Sequence, residues 1–194
     1  MLNIDFGGAK RKNTVNGLWK VMDIQENSEY VYDMYSGKKF DLDDNTIDNY
    51  YSSNTLHMTK QSMINFLFSE FYRTLKPEGK IRIMVPDVEK SIMWYVNNSS
   101  ECFKFKYAKP PCYPETRLGY LLAQFHTEDT YLGGKLKSVG VQHAFDFETL
   151  EYYLKEVNFS NVVKMSFGEC SPQFETKDYL RYKDRGLFVE AEKL

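Results

Sequence analysis

Cysteine is scarce in this 194-residue chain: only Cys102, Cys112 and Cys170 occur. Their number is odd and no CxxC pair is present, which argues against both a disulfide framework and a zinc site. No metal is expected. Long apolar runs are missing too. No window approaches the ~20 residues that a membrane-spanning helix needs, and the first residues lack the basic and apolar regions of a signal peptide. Neither sign of charge is in excess, with 25 Lys and Arg against 27 Asp and Glu, and the formal net charge is −2. No Lys/Arg run exceeds the short Lys10-Arg11-Lys12. Such a balance gives no general pull toward nucleic acid. Neither nucleic acid nor membrane is an expected partner, and a reducing cytoplasm is the expected location. No internal repeat or low-complexity segment stands out.

What is present suits a single α/β domain spanning residues 1–194. Hydrophobic residues make up 42% and charged residues 27%, ordinary for a globular chain. Aromatics reach 16%, mostly Tyr and Phe, which serves either an aromatic core or an aromatic-lined ligand pocket. Short apolar runs predict strands at Met1 to Phe6, Leu18 to Ile24, Glu29 to Tyr32, Thr46 to Ser52, Lys80 to Val85, Asn161 to Phe167 and Leu187 to Ala191. Met63, Phe66, Leu67, Phe71 and Leu75 fall at helical spacing between Lys60 and Lys76, with Thr59 placed to cap the start. Pro77-Glu78-Gly79 then stops that helix. Further helices are expected at Val88 to Asn97 and Phe147 to Val157. Between them, Asn98 to Gln142 shows no clean period and reads as an irregular substrate or lid insertion.

Strands alternating with loops or helices imply a mostly parallel seven-stranded sheet covered by helices on both faces, with an antiparallel C-terminal edge. In such sheets a ligand sits beyond the carboxyl ends of the strands, at the topological switch point. That singles out Asp5 to Ala9, Asp23, Asp33, Ser52 to Asn54 and Pro86-Asp87.

An ordered set of short motifs then resembles a known family. Leu2-Asn3-Ile4-x-x-Gly7, Val21-Met22-Asp23-Ile24, Tyr32-Asp33-Met34 and Asp48-x-x-Tyr51-Ser52-Ser53 are followed by Glu70-x-x-Arg73-x-Leu75-Lys76-Pro77-x-Gly79-Lys80-x-Arg82 and Val85-Pro86-Asp87. Together with His143-x-Phe145-Asp146 and Leu187-Phe188-Val189-Glu190-Ala191, they resemble the small class I S-adenosylmethionine-dependent methyltransferases of the type 11-like group, over nearly the whole chain. The resemblance implies a Rossmann-like fold, S-adenosyl-L-methionine as cofactor and methyl transfer to a small-molecule or sugar-like acceptor. The alternative is a catalytically degenerate relative that serves as a binding or partner protein.

The resemblance implies cofactor contacts at Asp5, Phe6, Gly7, Asp23, Ile24, Asp33, Met34 and Ser53. A glycine-bearing turn lets backbone N–H groups approach the methionine moiety. Asp23, ending the second strand, would accept the ribose hydroxyls, Asp33 would meet the adenine edge, and Met34 would lie against the ring. The competing role for both acids is turn capping. Glu70, Arg73 and the Leu75-to-Gly79 stretch read as architectural. A proton acceptor is needed only if the methyl acceptor must lose a proton. His143 is the catalytic candidate for that task, since a neutral imidazole titrates near the working pH. His126 and Tyr120 are substrate candidates, with Tyr131 and Trp94 as further pocket walls.

Three departures from the family pattern matter. Asp5-Phe6-Gly7 stands where Gly-Cys-Gly is usual, so Asp5 would either repel the cofactor's carboxylate or pair with its ammonium or sulfonium. Asn54-Thr55-Leu56-His57-Met58 replaces a His-x-Leu-Glu-His stretch, so His57 inherits no catalytic role. The first strand opens the sequence, so a lid over the cofactor would come from the insertion, from a second subunit in a homodimer, or not exist.

Overall fold

A computed structural model describes residues 1–8, 19–104, 113–128, 130–132, 135–138, 140–174 and 178–194. The Lys10-Arg11-Lys12 run, Cys112 and the loop beyond Gly8 lie outside the described residues, as do the side chains of Tyr131 and its neighbours in 130–138.

Seven strands form one sheet: β1 (Asn3–Phe6), β2 (Trp19–Asp23), β3 (Tyr30–Val31), β4 (Ile47–Ser53), β5 (Leu75–Pro86), β8 (Ser160–Met165) and β9 (Gly186–Glu192). Their order is β3-β2-β1-β4-β5-β9-β8. The first five run parallel, whereas β9 is antiparallel to both β5 and β8. From β1 the chain winds outward through β2 and β3, then returns to β4 on the other side. The switch point therefore lies between β1 and β4.

Period-two alternation decides which face each side chain takes. Ile81, Ile83 and Val85 of β5, with Leu187, Val189 and Ala191 of β9, join Ile4, Phe6 and Tyr50 in the main core. Two helices close this face, α1 (Gln61–Thr74) and α4 (Phe147–Glu156). In α1, Ile64, Leu67, Phe68 and Phe71 recur at i, i+3, i+4 and i+7 and are all buried. Phe71 meets Phe6 edge-on at 5.0 Å and Tyr50 at 4.8 Å, so the rich aromatic content serves the core at these positions.

The helix start differs from expectation. Lys60, not Thr59, is the N-cap residue, and its ammonium has no acceptor with which to cap; the Thr59 hydroxyl is instead turned toward the Met34 sulfur at 3.5 Å. At the other end the helix stops at Thr74, short of Pro77-Glu78-Gly79: Leu75 is already extended and begins β5, and Glu78 adopts φ +64° in a kink within that strand. A Cβ on Gly79 would sit 2.8 Å from the Lys76 carbonyl, so glycine is required there. The orphan carbonyls of the last turn are satisfied from the far end of the chain: Lys193 Nζ donates to Tyr72 O at 2.7 Å and Leu75 O at 2.8 Å.

The opposite sheet face carries two smaller clusters, Trp19 with Tyr51 and Phe174, and Met84 with Tyr182 and Phe188. Among the described residues this face is covered by the stretch between β8 and β9, through single 3-10 turns at Pro172–Phe174 and Leu180–Tyr182 rather than long helices. What ties it down is a buried charge cluster. Arg82 donates to Asp178 through Nε at 3.2 Å and Nη2, and to Glu190 through Nη1 at 2.8 Å.

The insertion read as irregular has structure. It holds a short helix, α3 (Arg117–Leu122), capped by the Thr116 hydroxyl accepting from Gly119 N, and a two-stranded hairpin of β6 (Thr130–Leu132) and β7 (Lys135–Ser138). Elements this short fall below the length at which periodicity becomes readable. Helix α2 (Val88–Val96) follows β5 and is capped by the Asp87 carboxylate accepting from Lys90 N.

Candidate cofactor and acceptor cleft

At the switch point the backbone of β1 turns at Gly7, whose N–H donates to Met22 O at 2.8 Å and whose φ is +77°. A side chain cannot be added there. A Cβ on Gly7 would overlap Thr55, which follows β4, and the left-handed conformation is costly for any L residue. A Cβ on Gly8 would meet the Asp5 carboxylate at 2.5–2.8 Å, so Asp5 lies directly beneath the turn. Asp5 and Phe6 are both buried but point to opposite faces of β1. Phe6 is a core ring, packed on Phe71, Phe40 and Tyr32; only its backbone remains at the rim. Ser53, ending β4, is fully buried beside the same turn.

Asp23 ends β2, one strand from the switch point, and its carboxylate accepts from Gln25 N at 3.2 Å. Asp33, beyond β3, is exposed and accepts from Tyr35 N at 2.9 Å. Both acids thus make the turn-capping contacts anticipated as their alternative role. Ile24 is 58% exposed, so its side chain is available at the surface rather than enclosed. Met34 packs against the edge of the main core. The sheet therefore gathers Asp5, Gly7 and Ser53 at one point, with Asp23 beside them and Asp33 and Met34 one strand further out.

The acceptor candidates divide. His143 lies at the end of the insertion, where its N–H donates to His57 O at 3.0 Å. Its ring packs on Phe145 at 4.4 Å and Tyr153 at 5.4 Å, its Nε2 is buried with no hydrogen-bond partner among the described residues, and burial pushes its pKa down. His126 is exposed past the end of α3, beside Thr127, whose N–H donates to Val141 O at 3.0 Å. Tyr120 is buried against Phe103 and, with Trp94, lines a cavity of about 20 Å³. That volume holds about one water molecule, not an acceptor.

One residue of the cleft was given no role by the sequence. His57 lies in the 3-10 turn Leu56–Met58 directly after β4 and is only 8% exposed. Its carbonyl accepts from both Gln142 N and His143 N, so it pins the end of the insertion to the end of β4. Its Nδ1 is buried with no hydrogen-bond partner among the described residues, and burial, aided by the positive charge of Arg185, pushes its pKa down to about 4. No sequence signal marks it, because a lone His beside a helix start is usually a packing residue. Among the described residues no group of three His, Cys, Asp or Glu side chains could hold a metal ion, and no helix is long and apolar enough to cross a membrane.

No family model and no curated protein sequence matches the chain. Solved structures do. A SAM-dependent methyltransferase from Archaeoglobus fulgidus superposes with a TM-score of 0.56 at 14% identity, over 99% of this chain and 86% of that one. Another from Methanosarcina mazei gives 0.59 at 13%, over 100% and 92%. Phosphoethanolamine N-methyltransferase 2 of Haemonchus contortus, in complex with S-adenosyl-L-methionine, gives 0.50 at 16%, with the chain spanning 48% of its length. Identities this low speak to architecture alone. In its strand order, its antiparallel C-terminal edge and these likenesses, the chain has the fold of the class I SAM-dependent methyltransferases.

Proposed function

We propose that this chain binds S-adenosyl-L-methionine across the β1–β4 switch point and transfers its methyl group to a small-molecule or sugar-like acceptor. The observation that carries the reading is Gly7: a left-handed turn packed on Thr55, with no room for a side chain, at the one place where this sheet order opens a ligand crevice. The residues around it fit the cofactor. Backbone at Gly7 and Gly8 suits a close approach by the methionine moiety, and the Asp23 carboxylate suits two ribose hydroxyls. Asp33 and Met34, further along the rim, suit the adenine edge and face.

Bound there, the cofactor would supply a methyl carbon already activated by its sulfonium. The chain's task is then to align the acceptor and, where the acceptor is protonated, to take up its proton. His57 and His143 are held in one arrangement at the end of β4, and His143 is the group assigned to the proton. His57, whose pKa is pushed down to about 4, serves to position His143 through its carbonyl.

Calorimetric titration with S-adenosylmethionine and S-adenosylhomocysteine tests the reading. Saturable binding is expected, abolished in Asp23→Ala and kept in Lys155→Ala, a surface control on α4. Absence of heat at millimolar ligand would overturn it.

A further inference from the structure

Three lysines from distant parts of the sequence converge on one cleft at the carboxyl ends of β5 and β8. Lys90 of α2, Lys164 of β8 and Lys183, just before β9, line a cavity of about 520 Å³ whose apolar walls are Phe167 and Phe188. The volume lies within the few-hundred to ~1,000 Å³ range of small-molecule sites. Asp184 is the one carboxylate in the lining. Lys164 Nζ stands 3.5 Å from the exposed Glu89 and 3.8 Å from the buried Asp87, and Lys90 Nζ donates to the Gly186 carbonyl at 3.0 Å. Each contact uses a fraction of an ammonium's three donors and holds it at the cleft wall. Three cations around rings, on the ligand-binding side of the sheet, suit a phosphate group attached to a ring or chain that lies on the aromatic walls.

Position gives this cleft its meaning. It opens beside β9 and β8, two and three strands from β4, so at about 4.8 Å per strand it lies roughly 10–15 Å from where a methyl group would be delivered. That is the reach of a phosphorylated sugar or a similar elongated molecule. We propose that the lysine cleft holds the phosphate of the methyl acceptor, which makes the substrate of this chain a phosphorylated small molecule. The proposal rests on the methyl-transfer reading for its second half only; the phosphate site stands or falls by itself.

The test uses the full chain, titrated with glucose 6-phosphate, inorganic phosphate and, as a carboxylate control, acetate. Glucose 6-phosphate should bind more tightly than inorganic phosphate, acetate should not saturate, and the Lys90→Met, Lys164→Met, Lys183→Met triple variant should lose affinity about tenfold or more. Should the triple variant fail to fold, Lys183→Glu, on an exposed side chain, should still weaken binding several-fold. Binding untouched by these changes, or no saturation at about 10 mM ester, a few kcal/mol of binding at most, would overturn the site. Equal affinity for inorganic phosphate and the ester would overturn the acceptor assignment. Asp23→Ala separates the two readings. It should abolish S-adenosylmethionine binding and leave phosphate binding unchanged, so failure of one titration is not failure of the other.

Discussion

His57 offers the sharpest quantitative prediction, because a single buried imbalance governs it. In the folded chain burial and the Arg185 charge hold its pKa at about 4, against an ordinary value of 6.5. Protons therefore bind the unfolded chain more readily, and stability rises with pH between these two values. The contribution is fully present above pH 6.5 and is lost as pH falls toward 4 and below. At pH 5 the unfolded imidazole is almost fully charged while the folded one is about nine-tenths neutral, a difference of about 2 kcal/mol. The assay is urea unfolding of the parent chain and His57→Gln at pH 7.5 and pH 5. Glutamine fills similar space and does not titrate, so its packing cost is the same at both pH values and cancels. The parent should lose about 2 kcal/mol more than the variant on going to pH 5. Other titrating groups, His143 among them, act in both proteins and drop out. Equal losses in the two proteins would refute the idea that His57 is buried and neutral.

Gly7→Ala should cost at least about 1–2 kcal/mol from the left-handed backbone alone, more as Thr55 is displaced, and should remove S-adenosylmethionine binding; urea unfolding and calorimetry read the two effects. Arg82→Met leaves Asp178 and Glu190 buried without their cation, so a loss of about 3–5 kcal/mol is expected. Hydrogen exchange in that variant should rise first across 166–174 and 178–185, since that stretch is fastened to the sheet through Arg82. Glu70→Ala should destabilise by about 2–4 kcal/mol without touching cofactor affinity. Glu70 accepts from Phe40 N at 2.8 Å and is gripped by Arg73, which also donates to the carbonyls of Phe40 and Leu42. Its loss should therefore loosen the 40–44 loop rather than the cleft, as a protease-sensitivity map would show.

How much of this was legible in the sequence follows from which forces are local. The seven strands could be read because short apolar runs bounded by polar residues survive in one dimension, as sheet residues covered on both faces require; Ile81, Ile83 and Val85 announce the central strand. The candidate cleft could be read because a glycine after a strand and an acid ending the next are local signals at Gly7 and Asp23. What could not be read depends on contacts between segments far apart. Thr59 looked like a helix cap, yet Met34, 25 residues earlier, claims its hydroxyl. The Arg82 cluster draws Asp178 and Glu190 from 96 and 108 residues away. Its one clue was a guanidinium set between Ile81 and Ile83 in a strand too apolar to leave a charge without partners. The lysine cleft left no trace, because Lys90, Lys164 and Lys183 each sit in ordinary polar surroundings and become a cluster only when β9 inserts between β5 and β8. The antiparallel insertion of β9 is thus both the feature that completes the methyltransferase sheet and the one that brings these three cations together. The anion site and the fold share one cause: a change that displaced β9 would remove the phosphate grip along with the closing strand of the core.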